Sequence, residues 1–432
     1  MRKTALCMFA IWALVSCDKY TVDVDSIVIS ENTSGIIDSN NGQDITPEPA
    51  VKSSFGPIVM TEAQKEMALS VNGFGLSLLS EIIKDKPAEN FVISPVSLAI
   101  NLAICANGAE GSTANEIKDI LGFKNINLED VNSYFQTLTN GMATVDSLSE
   151  FSSANSIWAD CQYPLQDSFI KNASEFYAAD ATNVDFSSSE AWDRIDIWCK
   201  ENTKGLIDNM PRTDGTRFTL LNAVYFNGLW GHKFDSDLKK EAFHGVNGDT
   251  ESEFLTSENR YGYLRMNTCR LLSIPYGAGG YSFLIAYPFD GTTFQETLDE
   301  ISSQSGRIQM TRTEGYLKEI KVQLPKFKIE GGEEHFIKAL KSMGMNLPFS
   351  DNAEFTGISE NGFTIDDIIQ KACIDVNENG TEAASVTEIV RYLLNPGSSA
   401  VNDSEFIVNS PFMFFVMEAG SGNILFAGQK VK

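Results

Sequence analysis

Apolar residues recur at helical spacing in the first part of the chain. The segment TEAQ, which begins at Thr61, has the capping-box pattern that opens a helix. Apolar side chains then follow every three or four residues, at Met67, Val71, Phe74, Leu78 and Ile82. A second box, TANE at Thr113, comes after the turn-forming segment NGAEG and predicts another helix.

The later part of the chain contains short apolar runs of the kind that form strands. These runs are FTLLNAVYF, YSFLIAYPF, IKVQLPKFKI, PFMFFVME and NILFAGQKV. The glycine-rich segment YGAGGY joins two runs without opening a helix, so we interpret it as a hairpin turn. Helical patterns in the first part of the chain and strand patterns in the later part predict an α+β fold with a mostly antiparallel or mixed sheet system.

Residues 1–16 have the pattern of a secretory signal peptide. Arg2 and Lys3 precede the apolar stretch TALCMFAIWALVS, which is too short to span a bilayer. The stretch ends in LVSC, which resembles a bacterial lipobox, so Cys17 is the predicted lipid attachment site. An ordinary secretory signal with an incidental Cys17 is the alternative. We expect an exported bacterial lipoprotein of the outer membrane, at the cell surface or on the periplasmic side.

Residues 17–60 are rich in acidic residues and proline and have no sustained apolar face. This composition predicts a flexible tether between the membrane anchor and a folded domain that spans residues 61–432. The 432-residue chain has a formal net charge of -25, which argues against nucleic acid as a partner and favours a soluble monomer.

The remaining cysteines are odd in number and widely spaced: Cys105, Cys161, Cys199, Cys269 and Cys373. Such spacing does not predict a disulfide framework or a zinc site. We interpret them as small buried residues, with one disulfide as the alternative.

Motifs for catalysis are missing from the sequence. Its three histidines do not form HExxH, and it contains no GxSxG elbow, no Walker loop and no GxGxxG after a strand. We therefore expect no metal, no cofactor and no enzymatic activity.

Six segments, in order along the chain, resemble the signature motifs of the serpin family. They are NFVISPVSLAINLAICANGAEGSTANEIKDILGF, ENTKGLIDNM, TLLNAVYFNGLWGHKF, LPKFKIE, VNENGTEAAS and SPFMFFV. The resemblance implies three β-sheets, eight or nine helices and an exposed reactive loop at about residues 378–405. It also implies a suicide mechanism, in which a protease cleaves the loop and the cut loop inserts into the main sheet, trapping the acyl-enzyme.

The sequence of the loop fits such an insertion. With period-two alternation, small residues fall on one face, at Thr381, Ala383, Ser385 and Thr387, and mostly polar or small residues fall on the other. By the resemblance, the hinge of the loop comprises Glu378, Gly380, Thr381, Ala383 and Ala384. A surface loop that merely happens to be rich in small residues is the alternative.

The resemblance also assigns residues beneath the main sheet. Ser94, Ser97 and Asn222 match the shutter, and Trp230 matches the breach, where insertion begins. Two positions depart from the family pattern. Gln370 stands where histidine is common, so this position does not titrate near neutral pH. Val386 replaces a smaller hinge residue, which is a reason for slower insertion.

Counting from Glu378 at the family's usual spacing reaches the bond Leu394–Asn395. An apolar residue before the cut suits chymotrypsin-like or elastase-like serine proteases. Tyr392 and Leu393, then Arg391, are the alternatives, and Arg391 would suit trypsin-like enzymes. Cysteine proteases are further possible partners. The stretch GSSAVNDSE is longer than the family pattern, so counting back from the C-terminal side does not fix the register.

Two functions follow from the resemblance. An inhibitor of serine proteases is favoured, because the hinge is small and free of proline. A non-inhibitory binding protein or chaperone with the same fold is the alternative. The acidic segment LEDVNSYFQTLTNGMATVDS lacks a basic helix face, so a heparin-like cofactor is not expected.

Overall fold

The computed structural model describes residues 56–432, except 143, 204, 206–208, 210–211, 213–214, 236, 305–315, 363 and 382–403. All described residues belong to one compact unit, Lys52–Lys432. Several predicted features therefore lie outside the described residues: the signal peptide, Cys17, most of the tether, Ala383, Ala384, and the cleavage candidates Arg391, Tyr392, Leu393, Leu394 and Asn395.

Eight α-helices occur among the described residues. They are α1 Glu62–Asp85, α2 Pro95–Ala106, α3 Gly111–Ile120, α4 Leu128–Met142, α5 Asp167–Tyr177, α6 Ser189–Asn202, α7 Phe294–Ser303 and α8 Ile337–Ser342. The capping box at the start of α1 is confirmed, since Thr61 and Gln64 hydrogen-bond each other's backbone N–H groups. Within these residues, no helix has the length and apolar character needed to cross a membrane.

A short 3₁₀ helix lies at Leu347–Phe349, and fifteen strands are described as well. They are β1 Phe91–Ile93, β2 Ser149–Asp160, β3 Asp180–Val184, β4 Phe218–Leu229, β5 Lys239–Gly245, β6 Gly248–Arg265, β7 Cys269–Tyr276, β8 Tyr281–Pro288, β9 Leu317–Pro325, β10 Phe327–His335, β11 Asp367–Val376, β12 Gly380–Thr381, β13 Glu405–Ile407, β14 Phe412–Glu418 and β15 Ile424–Lys430. Each strand-like run of the sequence forms a strand, except that IKVQLPKFKI is divided between β9 and β10, and YGAGGY forms the predicted hairpin between β7 and β8.

The strands form a six-stranded and a nine-stranded hydrogen-bonded network. The six-stranded sheet has the order β10-β11-β4-β2-β3, with β12 paired to β4. In the other network, the long strand β6 pairs with β5, β9 and β7 in turn, and so joins two groups of strands. One group comprises β5, β9 and β13, and the other comprises β7, β8, β14, β15 and β1. Counted with the six-stranded sheet, these two groups give the three sheets that the resemblance implies. Most pairs are antiparallel, and three are parallel.

The six-stranded sheet is covered on both faces. Even-numbered residues of β4, such as Leu220 and Val224, belong to the main core, towards α2. Odd-numbered residues, such as Leu221 and Ala223, pack under α6 in a second cluster with Trp198. The sheet is therefore buried on both faces, and this is why the run FTLLNAVYF is apolar at nearly every position.

Three sequence-based details need correction. Ile58 and Met60 are each only 7% exposed and join the core, so the predicted tether does not extend to residue 60. Helix α3 begins at Gly111, so Thr113 lies inside it and does not cap it; the hydroxyl of Thr113 instead accepts a hydrogen bond from the distant Glu354 N–H. None of the described cysteines forms a disulfide, and Cys161 is exposed and Cys373 half-buried instead of buried.

Candidate functional site

The seam between β11 and β4 is the centre of the candidate site. The two strands run parallel, and they pair only from Asp367 to Ala372, opposite Thr219–Val224. Beyond Val224 the strands have separated, and β12 pairs antiparallel with the far end of β4. The sheet is thus closed along one half of the seam and open along the other.

A polar cluster, which we term the shutter cluster, crosses the closed half; all its members are buried except Ser153, which is half-buried. It comprises Ser94, Ser97, Ser153, Asn155, Asn222 and Gln370. The sequence placed four of these residues together, and the structure brings all four into one network. Ser153 and Asn155 were missed, because β2 shows little apolar alternation that would mark an inward face.

Gln370 is the hub of the shutter cluster. Its Nε2 donates to Asn222 Oδ1 at 2.6 Å, which directly links β11 to β4. The same amide exchanges two hydrogen bonds with the backbone of Ser94, at 2.6 and 3.0 Å. Both polar atoms of the side chain are thus used, so glutamine satisfies this position without any titratable group.

The serine side chains extend the network into helix α2. Ser94 Oγ lies 2.9 Å from Ser97 Oγ, which lies 2.7 Å from Ser153 Oγ on β2. Asn222 in turn donates to Asn155 Oδ1 at 2.8 Å. Gln370 and Asn222 are each 1% exposed, so removing either amide would leave buried partners unsatisfied, at a cost of about 1–3 kcal/mol.

The open half of the seam, which we term the breach, comprises Trp230, Tyr276, Lys326 and residues 377–381. Trp230 is 5% exposed, and its indole N–H donates to Asn377 O at 2.7 Å. Its ring stacks on Tyr276 with centroids 4.4 Å apart. Trp230 therefore holds the segment that leads from β11 into the loop, at the position that the sequence predicted.

An ion pair fixes the same segment from the other side. Lys326 Nζ lies 2.9 Å from Glu378 Oε2, and each side chain is about one-third exposed. The hydrogen bond from Lys326 lowers the pKa of Glu378, and the same bond raises the pKa of Lys326. Lys326 was not predicted, because nothing near it in sequence points to residue 378.

Gly380 makes the closest backbone contact of the breach. It pairs with Leu229 on β4 and has a φ of 142°. A Cβ atom at this position would lie 2.1 Å from the carbonyl oxygen of Gly228. Glycine is therefore required here by both conformation and space, and not only for the flexibility that a hinge implies.

The site is thus a pair of parallel strands that is open along half of its length, with the next segment of the chain seated in the gap. Residues 69–432 match the family model described as "Serpin (serine protease inhibitor)". The chain belongs to the serpin family. The predicted fold is thereby confirmed, and serpins as a family inhibit proteases and do not catalyse a reaction of their own.

Individual serpins are similar over nearly their whole length. Iripin-5 of Ixodes ricinus is 31% identical over 387 residues, which cover 86% of this chain and 96% of that protein. The leukocyte elastase inhibitor of Bos taurus is 29% identical, covering 84% and 99%. The native-state structure of the thermophilic serpin tengpin superposes with a TM-score of 0.75 at 26% identity, covering 87% and 95%.

Replacement of Gly380 by alanine tests the contact with Gly228. We expect Gly380→Ala to release β12 from β4, since strain of about 1–2 kcal/mol adds to the steric clash. Hydrogen exchange at residues 377–381 should rise about tenfold or more. Gly248→Ala is the matched control, because Gly248 also has positive φ, 114°, but has nothing within 4 Å of its Cβ position. Equal exchange in both variants and the wild type would contradict the assignment.

The ion pair predicts a pH dependence of the breach. A lowered pKa of Glu378 means that the pair stabilises the hinge above the ordinary pKa of the carboxyl, and that this stabilisation is lost as the pH falls through the lowered value. Protection factors at residues 377–381 should therefore fall in acid, by the equivalent of about 0.2–1 kcal/mol. Lys326→Met should flatten this dependence. An unchanged profile in that variant would count against the pair.

Proposed function

We propose that this serpin is a suicide inhibitor of serine proteases, which traps the acyl-enzyme by inserting its cleaved reactive loop between β4 and β11. The half-open seam is the observation that carries the proposal. A new strand between two parallel strands can run antiparallel to both, and β12 already has this direction beside β4. Its pairing is the start of the strand that the mechanism requires.

The register of β12 gives the path of the remaining loop. Gly380 faces Leu229 and Thr381 faces Gly228. Continuing this antiparallel register brings Ala383, Ser385 and Thr387 opposite Phe226, Val224 and Asn222. Phe226 and Val224 belong to the main core, so the small residues of the loop would be those that become buried. The alternation in the sequence and the register of the sheet thus agree.

The same register addresses the unusual Val386. It would lie opposite Ala223, on the face that packs under α6. That face is also buried, but the small side chain of Ala223 means that the volume of a valine opposite it requires less rearrangement than it would opposite a larger residue. Val386 is therefore compatible with insertion in this register.

Insertion has to break the contact between Gln370 and Asn222. Thr387 would enter between these two residues, and its hydroxyl can donate to one amide and accept from the other. The new strand also gains backbone hydrogen bonds along both edges, each contributing about 1 kcal/mol. Insertion loses the single β4–β11 ladder of six residue pairs and gains a ladder on each side of the new strand, so the net gain in backbone bonds outweighs the loss of one side-chain bond and favours insertion once the loop has been cut.

The proposed scissile bond is Leu394–Asn395, with Tyr392, Leu393 and Arg391 as alternatives. Leucine before the cut fits a protease with an apolar primary pocket, chymotrypsin-like or elastase-like. The similarity to a protein named leukocyte elastase inhibitor supports this choice. We further propose attachment to the membrane through lipid on Cys17, with the acidic segment after it as the tether.

A covalent complex is the direct test. Incubation with chymotrypsin or elastase should give an SDS-stable band at the summed mass of the two proteins less the released C-terminal peptide. Mass spectrometry should find the released C-terminal peptide beginning at Asn395. The same proteases with a blocked active-site serine form no such band and serve as the control. Cleavage without any complex would instead favour a non-inhibitory binding protein.

Substitutions on the two faces of the loop test the insertion path. Thr387→Arg places a charge on the face that would be buried, so the loop should be cut at a normal rate while complex formation falls at least tenfold. Glu388→Arg is the matched control on the opposite face: it exchanges one charged side chain for another, so it adds no new charge there and should keep most of its inhibition. Inhibition that is equally impaired, or equally intact, in both variants would refute the proposed register. The ratio of complex to cleaved inhibitor is the measurement.

A further inference from the structure

Asp146 is a buried acid that the proposed mechanism does not use. It lies between α4 and β2 and is 8% exposed. Its Oδ1 accepts a hydrogen bond from Leu148 N at 2.8 Å. Its Oδ2 accepts two more, from Ala278 N at 2.8 Å and Gly280 N at 3.0 Å. The carboxylate thus bridges the start of β2 and the hairpin between β7 and β8.

The hairpin is shaped around this carboxylate. A Cβ atom on Gly277 would lie 2.5 Å from Asp146 Oδ1, and one on Gly280 would lie 2.8 Å from Asp146 Cβ. Gly277 also has a positive φ of 51°. The glycines of YGAGGY therefore allow the backbone to close around an anion, as successive N–H groups do in anion-binding nests.

The segment before β2 and the β7–β8 hairpin, both held by Asp146, contact the end of β4. Gly277 N donates to Leu229 O at 2.7 Å, and Leu229 N donates to Leu148 O at 3.4 Å. Tyr276, which precedes Gly277, stacks on Trp230. Trp230 in turn holds the backbone of Asn377. A continuous series of contacts therefore connects the carboxylate to the hinge.

We propose that Asp146 is a positioning residue for the breach. By holding the β7–β8 hairpin, it fixes the Tyr276–Trp230 stack and the end of β4, against which β12 is seated. Any effect of Asp146 on protease inhibition depends on the proposed function. The positioning itself is a property of the resting protein and does not depend on any protease.

The environment of Asp146 differs from that of an ordinary turn-capping acid. Burial raises the pKa of Asp146, although backbone N–H groups act to lower it. At Glu300, burial also acts to raise the pKa, but hydrogen bonds from Thr268 and Asn267 outweigh it and the pKa is lowered. Burial thus makes ionisation of Asp146 less favourable than in water, whereas the surroundings of Glu300 make its ionisation more favourable.

Glu300 provides a matched control for mutagenesis. Its carboxylate accepts hydrogen bonds from Asn267 N and Thr268 N, at 3.0 and 2.8 Å, in the turn between β6 and β7. It therefore caps the hairpin turn at the opposite end of β7 from Asp146. Asp146→Ala and Glu300→Ala each remove a carboxylate from a turn, but only the first turn touches the breach.

Hydrogen exchange in the absence of protease is the test. We expect Asp146→Ala to raise exchange at residues 377–381 about tenfold and Glu300→Ala to leave it unchanged. Unchanged exchange in both variants, or an equal rise in both, would overturn the proposal. If Asp146→Ala does not fold, Gly280→Ala disturbs the same contact from the hairpin side and should give the same regional increase.

A double-mutant cycle tests the connection through Trp230. Trp230→Phe removes the indole N–H that holds Asn377, so it should itself raise exchange at residues 377–381. Because Asp146 is proposed to act partly through Trp230 and partly through the end of β4, the double variant should show a rate increase smaller than the product of the two single increases. Independent effects, which would multiply the two rate increases, would contradict the proposed connection. Because this assay needs no inhibition, a failed complex assay would leave its outcome interpretable.

Discussion

The hydrogen bond between Gln370 and Asn222 is the contact on which the closed half of the six-stranded sheet depends. It joins β11 to β4 where the two strands still pair, and it lies just below the point at which they separate. Both amides are essentially inaccessible to water, each 1% exposed. Opening the seam therefore requires these groups to find new partners inside the protein, since leaving either unpaired is costly.

A polar seam suits a sheet that has to accept another strand. An apolar contact between β4 and β11 would be lost on separation, whereas amide and hydroxyl groups can exchange one partner for another. Gln370 accepts from and donates to Ser94 as well as bonding to Asn222, so its anchor on the residue that precedes α2 remains while the contact across the seam changes. Because glutamine does not titrate, the bond across the seam does not change through protonation of this side chain.

Local patterns in the sequence were sufficient for most elements of the fold. The capping box at Thr61, the apolar strand runs and the glycine hairpin depend on interactions between near neighbours, and each is present in the structure. Predictions were wrong or incomplete where contacts between residues distant in sequence determine the structure. Thr113 bonds to Glu354 instead of capping a helix, and Lys326 reaches Glu378 from another strand. Such pairs leave no trace in local periodicity.

The two halves of the seam divide the barrier to insertion between them. At the breach, β12 is already paired, so the first step of strand addition needs little further opening. At the closed half, six residue pairs and the shutter cluster still have to separate. In the proposed mechanism, cleavage lowers this barrier by freeing the loop to follow the register that Gly380 sets. Contacts at the breach thus control when insertion starts, and the shutter cluster controls whether it proceeds.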